Sequence, residues 1–216
     1  MRAVRGVFIT IEGGEGVGKS TQSHRLAGRL RDLGRTVTVL HEPGYTEVGD
    51  RIRSILLDPE VTMEPRTELF LFEAARAELT EMVIAPALDL GEVVVCDRFY
   101  DSTTAYQAHG RGLDADLVAS LNRAATAGLQ PDITVYLALP VNAAMRRATR
   151  DGADRMEAES LEFHRRVIDG FEAIAAGEPE RVVRIDASGD VAQVADRVWD
   201  AVASHPAVGA LLNGFW

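Results

Sequence analysis

The sequence predicts an α/β fold, a doubly wound five-stranded parallel sheet flanked by helices, and two observations predict it. Short, near-continuous apolar runs rich in Val and Ile alternate with longer stretches of helical period, the pattern of strands buried on both faces and joined by helical crossovers. Between the first such run and the first helical stretch lies a glycine-rich segment, where a parallel sheet places a phosphate-binding turn.

The elements follow in order. The first strand falls at 7–11, and the helix 19–33 ends at Gly34, a natural position for a glycine just past a helix. A strand at 37–40 precedes a helix at 48–57. The stretch 65–90 is helical in period, with Pro86 marking a break or kink near its end. The strand 93–96 ends at Cys96, the sole cysteine, which excludes a disulfide within one chain and reads as a buried thiol. Helices at 114–127, 160–176 and 191–204 surround strands at 133–138 and 182–185. No repeat, low-complexity stretch or linker interrupts them, so residues 1–216 read as a single domain, which includes an arginine-rich stretch at 146–158. The tail 207–216 ends in Leu211-Leu212-Asn213-Gly214-Phe215-Trp216 and is expected to pack on the body or at a subunit contact.

Composition bounds the function. With 46% hydrophobic and 26% charged residues, the 216-residue chain is of ordinary globular make-up. A net charge of −10 argues against a nucleic acid polymer as partner, though a nucleotide needs only a local cluster of cations. No apolar stretch approaches the roughly 20 residues that span a bilayer. Met1-Arg2-Ala3-Val4-Arg5 resembles the start of a signal peptide, but the run after it stops at Glu12, too short for an h-region. The expectation is a cytoplasmic protein with no membrane partner.

The chemistry lies in Gly13-Gly14-Glu15-Gly16-Val17-Gly18-Lys19-Ser20, a full match to G-x-x-x-x-G-K-[ST] between a strand and a helix. Its glycines let backbone N–H groups converge on phosphate oxygens. Lys19 would reach the β- and γ-phosphates of ATP, and Ser20 would ligate Mg2+. These residues, with Thr21, are the expected ATP-binding set. The strand 93–96 runs into Asp97-Arg98, at the edge where such sheets bind ligands, so Asp97 is a second candidate for the metal; a capping role for Asp97 and a structural ion pair for Arg98 are the alternatives. Nothing like the Asn-Lys-x-Asp stretch with which GTPases read guanine occurs.

Four blocks make a resemblance. Ile11-Glu12-Gly13 through Lys19-Ser20-Thr21-Gln22, Glu42-Pro43-Gly44, Asp97-Arg98 through Ala105-Tyr106-Gln107, and Gly110-Arg111-Gly112-Leu113 together resemble the bacterial thymidylate kinases, P-loop nucleoside monophosphate kinases. The resemblance implies transfer of the γ-phosphate of ATP to dTMP, and a homodimer. It implies that Phe72 stacks on thymine while Arg76 hydrogen-bonds its 4-oxo group. Spaced four apart, the two share a helix face, and stacking contributes about 1–3 kcal/mol per base; an ordinary core position for Phe72 is the rival. Arg53 and Arg98 are implied to bind the dTMP phosphate, and Glu15 the 3′-hydroxyl. Thr103, Tyr106 and Gln107 line sugar and base, with the Tyr106 ring filling the space a 2′-hydroxyl needs; helix packing is the alternative for Thr103 and Gln107.

The resemblance also makes the arginine-rich stretch 146–158 a lid and implies a catalytic arginine in it, since the P-loop carries Gly16 and Val17 where some members have a cation. Arg150 is the first candidate and Arg155 the next, with Arg146 and Arg147 on a solvated face. Lys19, Arg98, Arg150 and Glu15 are thus the expected catalytic set. Three residues depart from the family pattern: His41 before Glu-Pro-Gly, Tyr45 after it, and Phe99 in place of a tyrosine. Another pyrimidine monophosphate kinase and a non-enzymatic nucleotide-binding module are the alternatives.

Overall fold

The structure, a computed structural model, describes residues 5–148 and 154–213. Five strands, β1 (Val7–Glu12), β2 (Val37–His41), β3 (Val93–Asp97), β4 (Ile133–Ala138) and β5 (Val182–Asp186), form one sheet in the order β2-β3-β1-β4-β5. Every pairing is parallel, so all strands end at one edge, with β1 in the middle. The doubly wound sheet is the one the apolar runs predict.

Alternation along β1 splits the core. Ile9 and Ile11 face Leu26 and Leu30 of α1 (Lys19–Asp32) and Val194, Val198 and Val202 of α9 (Val191–Ser204). Phe8, beside Val94 and Cys96, faces Leu79, Leu88 and Phe99 on the other side. Farther along that side, Tyr136 packs on Phe163 and Phe171 of α8 (Leu161–Gly177). The last helix, α10 (Pro206–Asn213), sends Val208 into the first core, and Arg35 donates to the Leu211 carbonyl at 2.5 Å.

The predicted boundaries shift in an instructive way. Four strands run one residue farther than their apolar runs, onto Glu12, His41, Asp97 and Asp186, because the backbone ladder continues after hydrophobicity stops. The stretch 65–90 is three pieces: α3 (Pro65–Leu79), a π-helical turn Thr80–Ile84, and α4 (Ala85–Asp89). Pro86 has no N–H for the carbonyl four residues before it, and the turn widens there. A helical segment unmarked in the sequence, α5 (Tyr100–Thr103) running into a π-helical stretch Thr104–Gly110, carries Tyr106 and Gln107. Between β2 and α3 lies α2 (Glu47–Leu57), whose Thr46 cap accepts from Gly49 N at 2.9 Å. Helices α6 (Ala115–Ala125) and α7 (Val141–Ala148) complete the helices of the described residues.

Two glycines set how closely α8 approaches the Tyr106 segment. A Cβ on Gly170 would meet His109 Cγ at 2.9 Å, and one on Gly110 would meet Phe163 Cε2 at 2.8 Å. The close approach seats the Tyr106 ring against Phe163 and Phe171, with centroids 6.1 and 6.2 Å away.

At the end of β1 the wholly buried carboxylate of Glu12 accepts from Phe99 N at 2.7 Å, Ser102 N at 3.3 Å and Ser102 Oγ at 2.6 Å. It thereby satisfies amide groups at the start of α5, which would otherwise be orphaned. Burial, helped by nearby Asp101, pushes its pKa up to about 8 against the pull of Ser102 and Arg98.

Two outcomes are expected. Gly170→Ala should destabilise the protein by about 1–3 kcal/mol through overpacking, although helix propensity alone would favour it by about 1 kcal/mol; a urea melt gives the sign. Because the folded state holds the Glu12 proton more tightly than the unfolded chain does, folding takes up a proton between pH 4.5 and about 8, and stability falls as pH rises through that window. Glu12→Gln keeps an acceptor oxygen but does not titrate. Wild type should therefore lose stability relative to this variant as the pH of the melt rises from 4.5 to 8; a constant difference would show that the carboxyl is not shifted.

Candidate active site

The loop between β1 and α1 has the backbone of an anion cradle. Gly18 takes φ 96° just before the helix, a left-handed geometry that side chains rarely adopt. Gly13, at φ 138°, lies so close to β4 that a Cβ would meet the Leu137 carbonyl at 2.7 Å. Val17 is buried in the core and anchors the loop. No side chain caps α1, so its first N–H groups are left for a ligand. Lys19, itself buried, donates to the Gly14 carbonyl at 2.7 Å, and burial together with Arg98 lowers its pKa. Ser20 and Thr21 are exposed at the mouth.

A cleft of about 360 Å3 opens beside this loop at the ends of the strands. It brings together Glu15, Lys19, Ser20, Arg53, Phe72, Arg76, Asp97, Arg98, Thr103, Tyr106 and Gln107, all picked out in the sequence. The Ser20 hydroxyl donates to the Asp97 carboxylate in a short hydrogen bond. These two oxygen donors fit Mg2+, which takes one or two protein oxygens and fills its remaining positions with phosphates and water. Among the described residues, no three His, Cys, Asp or Glu side chains converge as a metal cage.

Arg98 holds the centre. Its backbone sits at φ 71°. Its guanidinium donates to the Gly13 carbonyl and Ser102 Oγ, both at 3.1 Å, to Glu15 Oε1 at 2.5 Å and to the Tyr106 hydroxyl at 3.3 Å. Tyr106 in turn donates to Glu15 Oε1 at 2.7 Å. Burial alone would raise the Glu15 pKa, but Arg98, Lys19 and the Tyr106 hydroxyl pull it down to about 2, so a carboxylate in a phosphate loop stays ionised between cations. Arg53 donates to the Pro43 carbonyl at 2.7 Å, whereas Arg51 pairs with Glu47 on the exposed face.

Arg76 is 1% exposed and reaches the cleft from a buried network. It donates to Glu42 from Nε at 2.9 Å, to Glu73 at 3.0 Å and to Asn122 at 3.2 Å, with Nη2 also 2.9 Å from Glu42 in the ion pair; its bond to the Phe99 carbonyl spans 3.4 Å. Phe72, one turn earlier, is partly exposed into the cleft and outside the buried core. Of the departures, His41 forms part of the wall, with a pKa lowered by burial and by Arg53. Tyr45 adopts φ 76°, a left-handed conformation that glycine takes more readily than a residue with a side chain. Phe99 packs edge-on against Phe8 at 4.9 Å.

The arginines of the expected lid divide. Arg150 lies outside the described residues. Arg155 does not line the cleft: Nη1 donates to Glu68 at 2.6 Å and Nε to the Leu56 carbonyl at 2.7 Å. Arg146 and Arg147 are exposed. Asp154, Met156 and Glu157 form the outer wall, and neither they nor Glu68 stands out in the sequence. A signal for Glu68 existed, since it precedes Phe72 and Arg76 by one and two helical turns of α3.

The thymidylate kinase family model matches residues 11–198. A thymidylate kinase from Synechococcus sp. (strain JA-2-3B'a(2-13)) is 53% identical over 198 residues, 91% of this chain and 94% of that protein. The Deinococcus radiodurans thymidylate kinase is 46% identical over 202 residues, 93% and 98% of the two chains. Among solved structures, thymidylate kinase from Ehrlichia chaffeensis superposes with a TM-score of 0.76 at 32% identity, covering 91% of this chain and 98% of that one. With its P-loop, its acceptor cleft and this likeness along nearly its whole length, the chain belongs to the thymidylate kinase family.

Proposed function

We propose that the cleft holds dTMP with its phosphate against Arg53 and Arg98, in line with the γ-phosphate of an ATP seated on residues 13–21. The observation that carries this is the convergence, at the seam between P-loop and cleft, of Lys19 with Arg98, Glu15 and Tyr106, the last three hydrogen-bonded to one another. A dTMP phosphate oxygen forms the new bond to the γ-phosphorus as the bond to the β-bridging oxygen breaks, leaving ADP and dTDP. The protein's share is alignment and charge neutralisation. Lys19 and Arg98 carry the cationic load, Arg150 adds to it from the lid, and Glu15 accepts from the sugar 3′-hydroxyl. Ser20 and Asp97 would hold Mg2+, which when bound neutralises charge on the β- and γ-phosphate oxygens. Phe72 stacks on thymine, Arg76 donates to its 4-oxo group, and Thr103 and Gln107 line the base and sugar. The chain acts in the cytoplasm, and no helix among the described residues is long and apolar enough to cross a membrane. It works as a homodimer, for which exposed Val48 and Ile55 of α2 and Phe70 of α3 offer apolar surface.

Coupled ADP-release assays across dTMP, dUMP, dCMP, dGMP and dAMP test the reading. The highest kcat/KM should belong to dTMP; a higher value for dCMP or dUMP would replace thymine as the base, and no turnover with any would leave a binding module. The sugar gives a sharper check. Tyr106→Phe keeps the ring and should preserve the preference for dTMP over ribothymidine monophosphate. Tyr106→Ala opens the space and should relax it by about tenfold or more, the scale on which a close-fitting pocket discriminates; an unchanged ratio would show that another residue guards the 2′ position.

A further inference from the structure

One carboxylate outside the phosphate-facing cluster bridges two walls of the cleft. Glu68, on α3, is 1% exposed, and hydrogen bonds use all four of its acceptor positions. Oε1 accepts from Gln107 Nε2 at 2.8 Å and Arg111 Nε at 3.0 Å; Oε2 accepts from Arg111 Nη2 at 2.8 Å and Arg155 Nη1 at 2.6 Å. Gln107 lines the inner wall, whereas Arg155 sits within the 154–157 stretch whose Asp154, Met156 and Glu157 make the outer wall.

The chemistry of the bridge is directional. An ionised carboxylate only accepts, so Gln107 must present its amide N–H to Glu68 and turn its carbonyl oxygen elsewhere. On the other side Arg155 has few holds. Its backbone N–H reaches the Leu57 carbonyl at 3.2 Å, its Nε the Leu56 carbonyl, and its Nη2 is buried with no partner. Among the described residues its charge is therefore met by Glu68 alone. Arg111 braces the same assembly, pairing with Glu68 and Glu159 and stacking 4.6 Å over Phe163.

We propose that Glu68 is a positioning residue that couples the acceptor cleft to its outer wall, orienting Gln107 on one side and seating Arg155 on the other. Occupancy of the cleft and closure of the 154–159 segment then become one event, and water is kept from the γ-phosphate until an acceptor is in place. Arg155 is accordingly a latch and not a transfer residue. The proposal rests on the reading of the cleft as the dTMP site.

The full-length chain is assayed for dTDP formed, for inorganic phosphate released and for the KM of each substrate. Glu68→Gln should raise the KM for dTMP by about tenfold and the ratio of phosphate to dTDP by about tenfold, the usual size of a coupling between sites, with the KM for ATP little changed. Arg155→Met leaves the Gln107–Glu68 bond standing, so it should raise the phosphate ratio while moving the KM for dTMP far less. A merely structural residue would lower stability without that split. If Glu68→Gln does not fold, Arg155→Met decides. A wild-type phosphate ratio in every folded variant overturns the coupling, as does an equal rise in both KM values. If wild type itself makes no dTDP, the reading of the cleft fails instead.

Discussion

The buried carboxylate of Glu12 is the contact from which the site is assembled. It stands at the end of the central strand and holds the backbone of Phe99 and the backbone and hydroxyl of Ser102. The turn after β3 is thereby pinned to the strand that launches the P-loop. Ser102 passes the constraint on: its hydroxyl donates to Glu12 and accepts from Arg98, whose guanidinium then reaches Gly13, Glu15 and Tyr106. A hydrogen-bonded path thus leads from the core to the cation at the middle of the cleft. Breaking it at Glu12 would orphan buried amide groups, which cost about 1–3 kcal/mol each, and would free a guanidinium whose value lies in its fixed position.

Electrostatics follow from that arrangement. Glu12 and Glu15 are three residues apart yet shift in opposite directions, to about 8 and about 2. Burial dominates at Glu12, where the next-largest influence is a second acid, Asp101; at Glu15 the cations Arg98 and Lys19 together with the Tyr106 hydroxyl outweigh burial. The same pairing explains how a chain of net charge −10 can present a cleft for polyanions. Its cations are held beforehand by carboxylates and carbonyls, so an arriving phosphate competes for oriented donors and does not have to order loose ones.

Much of this was legible in the chain. Apolar runs marked the strands, because strands covered on both faces leave no alternation to misread, and the P-loop announced itself because few residue types permit its backbone. Legibility stopped where polarity began. The runs ended one residue short at β1, β2 and β3, on Glu12, His41 and Asp97, and these strand-end residues either face the cleft or anchor it. The helical segment of Tyr106 and Gln107 was hidden because its register is π-helical, without a 3.6-residue period. Glu68 read as one more acid on an amphipathic helix, since its partners Gln107, Arg111 and Arg155 are 39, 43 and 87 positions away. Distance along the chain also concealed the difference between the lid arginines: Arg155 is engaged by a residue that nothing near it in sequence announces.

Arg76 shows how such commitment can serve selectivity. Its guanidinium is permanently charged and offers only donors. Glu42, Glu73 and Asn122 accept three hydrogen bonds from it at 2.9–3.2 Å, and Nη2 lies 2.9 Å from Glu42 in the ion pair. The Nη2 bond toward the Phe99 carbonyl spans 3.4 Å and is the weakest of the set. A base oxygen could recruit that N–H without disturbing either ion pair, whereas the amino group of cytosine would meet donor against donor. Rotating the arginine to relieve that clash would strand Glu42 and Glu73 without their cation, and breaking one buried pair costs about 3–5 kcal/mol. On the proposed reading of Arg76, the rigidity that removes its freedom is therefore what would let its remaining donor discriminate.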